Sequence, residues 1–160
     1  MGAEVIDNAL VARLSGDAQL QALMPGGVWF DLAGKGQTAF VIIGLNEDAA
    51  FQQFEGEAAA RTVYLVKAVE LQTSGKNAAN AAARIHTLLQ WNTGPAPLTM
   101  AGYDLLALRR VERIRYTEVD ATNPDARWQH QGGLYEVITA EVAASALSRK
   151  DERNGSQAWQ

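Results

Sequence analysis

The run RTVYLVKAVEL at residues 61–71, followed closely by SGKNAANAAARIHTLLQW at residues 74–91, decides the fold. The first run is rich in β-branched and aromatic residues and alternates. Thr62, Tyr64, Val66 and Ala68 fall on one face of an extended chain, and Val63, Leu65 and Val69 on the other. The second run changes period. Ala78, Ala81, Ala82, Ile85, Leu88 and Leu89 recur at helical spacing on one stripe, Lys76, Asn80, Arg84 and Thr87 lie opposite, and Ser74 stands where an N-cap is expected. A long strand leading into a long amphipathic helix, whose alanines admit close backbone approach, predicts one helix laid on one sheet.

Working toward the N-terminus, Ile6, Leu10 and Leu14 are spaced four apart and predict a short docked helix that Gly16 stops. Asp17 then caps a second helical turn through Leu20, Leu23 and Met24, which Pro25-Gly26-Gly27 ends. Residues 28–30 and 38–45 read as strands around the flexible Gly34-Lys35-Gly36. The nearly continuous apolar run at 39–43 predicts the central strand, and residues 46–59 an extended loop.

Toward the C-terminus, residues 92–97 break the helix. Residues 98–101 and 105–116 flank the turn-like Ala101-Gly102-Tyr103-Asp104 and suggest a hairpin, with a bulge where alternation falters at Arg109-Arg110. The polar residues 117–133 are expected as an exposed arm, the tip of an antiparallel pair closed by a last strand at 134–143. The fold class is therefore α+β: a single mixed or mainly antiparallel sheet, with one long helix and a short N-terminal helical segment packed mostly on one face. Residues 1–144 form one domain and the polar residues 145–160 a flexible tail.

Composition bounds what such a domain does. A chain of 160 residues buries one core, and 48% apolar with 20% charged residues is ordinary globular usage, so disorder is expected only in loops and ends. The formal charge of -4 gives no general attraction to phosphate backbones. Absence of cysteine removes disulfides, thiolate nucleophiles and Cys-ligated zinc together. Residues 1–14 are amphipathic and carry Glu4 and Asp7, unlike a secretion signal, so the protein is expected to stay where it is made. No apolar stretch approaches the roughly 18 residues of a membrane helix, and no membrane role is expected.

Each catalytic constellation fails on its chemistry. Gly34-Lys35-Gly36-Gln37-Thr38 lacks the first glycine and the Lys-Ser/Thr order of a phosphate loop, because Trp29 and Gly36 occupy those places. His86 and His130 have no second ligand at metal-site spacing, and no Gly-x-Ser-x-Gly lifts a serine onto a nucleophile elbow. No catalytic, cofactor or metal residue is assigned, and the chain is read as a non-enzyme. Glu47, Asp48, Glu55 and Glu57 gather in the 46–59 loop at spacings that match no EF-hand. Phe51 and Phe54 among them are either buried in core closure or presented to a partner. Arg109, Arg113 and Arg115 share strand parity, with Val111 between them and Arg110 on the other side. They are either a solvated face, a subunit contact or phosphate contacts, and no interleaved aromatics favour the last.

The layout of residues 6–142 resembles the tail-completion family of long-tailed bacteriophages, which includes tail terminator and tail-to-head joining proteins. The parts that carry the resemblance begin with the Ile6, Leu10, Leu14 helix with Leu20 and Leu23 after it. Gly27-Val28-Trp29 and the strand Ala39-Phe40-Val41-Ile42-Ile43-Gly44 follow. Then come the strand-helix unit ending in Ile85, Leu88 and Leu89, Pro97-Leu98-Thr99-Met100-Ala101-Gly102, and a closing pair of long strands. It departs from the pattern in two places: members commonly have a proline just before the strand ending in Gly44, where Thr38 and Ala39 stand here, and often a tryptophan late in the next strand, where Lys67 to Glu70 stand instead.

What the resemblance implies is a virion protein of the tail or neck, made in the host bacterial cytoplasm. It would form a hexameric ring that terminates the tail tube and meets the head connector. Its partners would be its own copies, the tail tube protein and the head-tail connector protein, with genomic DNA passing through the ring without specific binding. Interface residues are then expected in two places: Phe51, Phe54, Glu55 and Glu57 in the first loop, and Arg109, Arg113, Arg115, Tyr116 and Trp128 in or beside the second. The alternative is a small ligand- or peptide-binding α+β domain whose aromatic loop closes over a pocket at the sheet. An enzyme using Glu55, Glu57 or His130 stays in view only because any fold can host a site.

Overall fold

Two periods of burial sort the chain into two layers. A computed structural model describes residues 3–52, 58–72 and 74–142, without the side chains of 50–52 and 58. The elements are α1 (Ala3–Ser15), α2 (Ala18–Leu23), β1 (Val28–Phe30), β2 (Ala39–Gln52), β3 (Ala58–Leu71), α3 (Lys76–Leu89), β4 (Tyr103–Val119) and β5 (Arg127–Glu141). The strands form one mixed sheet in the order β1-β2-β3-β5-β4, with β1 parallel to β2 and every other pair antiparallel. The α+β class and the single mixed sheet expected from sequence are what is found.

The helices cover one face. Val41 and Ile43 of β2, Tyr64, Val66 and Ala68 of β3, and Tyr135 and Val137 of β5 point to it. There they meet Ile6, Leu10 and Leu14 of α1, Leu20 of α2, and Ala78, Ala81, Ile85 and Leu89 of α3. Each fully buried Leu or Ile contributes about 1.5–3 kcal/mol through removal of apolar surface from water. Tyr64, fully buried, donates its hydroxyl to Asp7 Oδ1 at 2.6 Å and so ties α1 to the sheet; burial, then the Asp7 hydrogen bond, pushes its phenol far above the usual range. Asp17 caps α2 by accepting from the Leu20 amide at 2.8 Å, as expected, and also pairs with Arg84 of α3 at 2.5 and 3.0 Å.

Several expectations are corrected. The central strand is β3: β2 has only three-residue β1 on its outer side, and its apolar run is covered by helices on one face and by the 31–37 segment and neighbouring side chains on the other. The 46–59 loop is mostly strand, since β2 and β3 pair as far as Gln52 opposite Ala58 with one register shift after Leu45. The 117–133 arm is likewise ladder at both ends, and only residues 120–126 turn, because Glu118 opposite Trp128 and Val119 opposite Arg127 satisfy each other's backbone.

Residues 98–101 form no strand. Leu98 and Met100 are buried core anchors on irregular chain before Gly102 (φ +79°) turns into β4. Ser74 is not the cap of α3. Gly75 takes that position in the left-handed region, and the buried Glu70 carboxylate at the end of β3 accepts from the Ala78 amide and Asn77 Nδ2, both at 3.0 Å. Residues 143–160, including the expected tail, lie outside the described residues.

Candidate functional site

Among the described residues one face of the sheet carries no helix, and register says which side chains stand on it. Phe40 and Ile42 of β2, the odd residues 61–69 of β3, and Trp128, His130, Leu134, Glu136 and Ile138 of β5 alternate away from the core. Near one end a ladder of alternating charge crosses four strands. Glu47 of β2 meets Arg61 of β3 at 3.0 Å, Arg61 meets Glu136 of β5 at 2.8 Å, and Glu136 meets Arg109 of β4 at 2.9 Å. Glu136 is 4% exposed. Its burial raises its pKa, but the hydrogen bonds from Arg61 and Arg109 outweigh that and hold it below the usual carboxylate range.

At the other end the face turns aromatic. Tyr116 stacks on His130 with ring centroids 4.3 Å apart and planes 8° from parallel, and Lys67 Nζ donates to the Tyr116 hydroxyl at 2.5 Å. Phe40 packs against Trp128, whose indole N–H donates to Asp120 across the turn at 2.7 Å. Burial and then the Lys67 ammonium hold the His130 imidazole below its usual range, opposed by Glu118, whose carboxylate is 3.2 Å from Nε2. That approach lacks hydrogen-bond geometry, so both ring nitrogens of this buried histidine are unpartnered. Beside them the segment at 31–37, with Leu32 fully out in solvent at 82% exposure, borders a depression of about 270 Å³ that reaches Ile42, Lys67 and His130.

The arginines of β4 do not share a face. Val111 has no partner in the ladder, because Arg110 pairs with Tyr135 and Glu112 with Leu134, and this shift reverses parity for the rest of the strand. Arg109 therefore stands on the open face, engaged by Glu136. Arg113 and Arg115 emerge on the helix face together with Arg110, opposite Gly133, Gln131 and Tyr135. The expected irregularity at Arg109-Arg110 is present one residue later, and the unpaired Val111 divides the predicted set.

Tyr116 and Trp128 of the predicted site are brought together on the open face, within strands and not in a loop. Phe51 lies in β2 opposite Ala59, while Phe54, Glu55 and Glu57 fall outside the described residues. Phe40, Lys67, His130 and Glu136 belong to the same face and had not been singled out as interface residues. Their signal was present in parity: Arg61 and Lys67 occur at odd positions of β3, where a fully covered strand would be apolar. No group of three or more metal-ligating side chains occurs among the described residues, and no described helix is long and apolar enough to cross a membrane.

No protein-family model matches this chain, and no curated protein does. Among solved structures, a chain described as "Virion of native gene transfer agent (GTA) particle" matches with a TM-score of 0.62 at 19% identity. The match covers 86% of this chain and 96% of that one. At that identity the likeness is one of fold, extending over almost the whole of both chains.

Proposed function

We propose that this chain is a structural protein of a phage-like virion, a ring-forming subunit that terminates the tail tube and joins it to the head connector. The observation that carries the reading is the fold shared, almost end to end, with a chain of a virion particle. Its physical support, among the described residues, is a sheet with one face free of helices, bearing aromatic stacks and charge, and two sheet margins left open. β1 covers β2 only at residues 41–43, and β4 is an edge strand. Surfaces of that kind suit heterologous contacts, which close into a ring when the rotation between copies is right. The work done is assembly, and no side chain is required to make or break a bond.

Phe51 and Phe54 are the proposed anchors of the β2–β3 hairpin, and Tyr116 and Trp128 those of the open face, since aromatics bury large area at low entropic cost. Sizing the protein over a range of concentrations, with negative-stain imaging alone and after mixing with cognate tail tubes, tests the reading. Closed rings, or tubes that stop growing with a cap at one end, are expected. A chain that stays monomeric and leaves tube growth unchanged would overturn it. Serine at both Phe51 and Phe54 should weaken ring or tube association with the monomer fold intact, and unchanged association would remove those two residues from the interface.

A second reading, a small ligand- or peptide-binding domain, draws on the depression between the 31–37 segment and His130. Its signature is saturable binding by a monomer that never assembles.

A further inference from the structure

Arg110, Arg113 and Arg115 leave β4 on the side where α3 passes, and α3 meets them with Ala79, Ala82 and Ala83. The short alanine side chains leave a groove of about 320 Å³ between helix and strand. Among the described residues none of these three guanidiniums forms an ion pair, whereas Arg61, Arg84 and Arg109 each do. The groove also runs along an open strand margin. Beyond the Trp91 amide, which donates to the Leu108 carbonyl at 3.2 Å, no described backbone covers the outer side of β4 from Arg109 onward.

The same chain carries the complementary charge elsewhere. Residues 46–60 hold Glu47, Asp48, Glu55 and Glu57 and no lysine or arginine. Glu47 is engaged by Arg61, and Asp48, Glu55 and Glu57 carry the remaining acidic charge of this stretch. The described end of this hairpin lies far from the groove of its own chain. Arg113 stands opposite Gly133, and Gly133 opposite Val66, seven residues along β3 from Ala59, or about 23 Å at the rise of a strand. Residues 143–160 do not fit the groove by charge, since Arg149, Lys150 and Arg153 outnumber Asp151 and Glu152.

We infer that the acidic β2–β3 hairpin tip of one copy seats in the arginine groove between α3 and β4 of the next copy, head to tail. Guanidinium–carboxylate pairs at the mouth of the groove give charge-assisted, bidentate contacts, and the alanines make room for the hairpin backbone. Because the two patches differ in sequence and charge, each copy offers one of each, and the contact propagates in a single direction. This inference rests on the ring reading above and names the contact that would close the ring.

The absence of cysteine makes the test clean. Copies carrying Gly56→Cys at the tip are mixed with copies carrying Ala83→Cys in the groove wall, leaving every charge in place. Unlike copies should cross-link faster than like ones, and the preference should fade as salt is raised. Arg113→Glu with Arg115→Glu should weaken self-association by about tenfold or more, as loss of interfacial charge pairs does, and Glu55→Arg with Glu57→Arg in the other copy should restore it. Rings that form with no tip-to-groove preference overturn this contact and leave the ring reading standing. Absence of any assembly, with or without tail tubes, overturns both. Loss of duplex DNA binding in the Arg113→Glu, Arg115→Glu variant with assembly unchanged would overturn the contact in favour of a phosphate partner.

Discussion

Glu136 shows how a single side chain sets the character of a face. Its carboxylate is buried between two strands' arginines, so truncation removes both ion pairs, but the guanidiniums of Arg61 and Arg109 keep access to water. Glu136→Ala is expected to cost about 1–2 kcal/mol in denaturant unfolding, below the penalty of stranding a fully buried charge. Gly132 is less forgiving. A Cβ there would lie 2.1 Å from the Val66 carbonyl oxygen and 2.5 Å from Lys67 Cα, both backbone. Gly132→Ala must spread β3 from β5, and a loss of about 2–3 kcal/mol by thermal unfolding is predicted, whereas a change under about 0.5 kcal/mol would show that the strands can part cheaply. Leu106 and Val111, the two β4 residues without ladder partners, are both exposed, as the outward displacement at a register shift requires.

At the scale of elements, what starts each helix comes from different distances along the chain. Asp17 is a local cap, and the sequence announced it. The start of α3 is satisfied by Glu70, which comes from the preceding strand and is brought there by the turn through Gly75 at φ +59°. Glu70→Ala should destabilise the fold by about 1–2 kcal/mol while Ser74→Ala stays within about 0.5 kcal/mol, a contrast that urea titration would resolve.

Asp17 also joins α2 to α3 through Arg84. Those hydrogen bonds lower its pKa from 3.8 to about 2 against the opposing effect of burial. A folded pKa below the unfolded one means the stabilisation is complete above about pH 4 and is lost as pH falls toward 2. Asp17→Asn should therefore flatten that part of the stability-against-pH curve, and an unchanged acid limb would assign the loss to other carboxylates.

For the whole molecule, the layering was legible in the amino-acid order and the lateral arrangement was not. Alternation in residues 61–71 and the 3.6-residue stripe in residues 76–89 fixed which faces meet, because burial of apolar side chains obeys the period of each element. Those local patterns were enough for an α+β domain with helices on one face. Strand order was decided by tertiary pairing: β5 lies between β3 and β4, and this makes β3 central and β4 an edge. The length of both hairpins was hidden as well, since polar residues such as Asp48, Thr117 and Glu118 look like loop until a partner strand satisfies their backbone.

The open face and the arginine groove followed the same division. Sequence supplied the arginines, the acids and the aromatics, and excluded the standard catalytic motifs by their absence. Only the register shift at Val111, a property of how β4 lies on β5, parted Arg113 and Arg115 from Arg109, which stays against Glu136, and brought them to the side of Arg110 beside α3. Periodicity can state what a residue's neighbours along one strand do. Which face that strand presents after an unpaired residue is settled by the strand next to it.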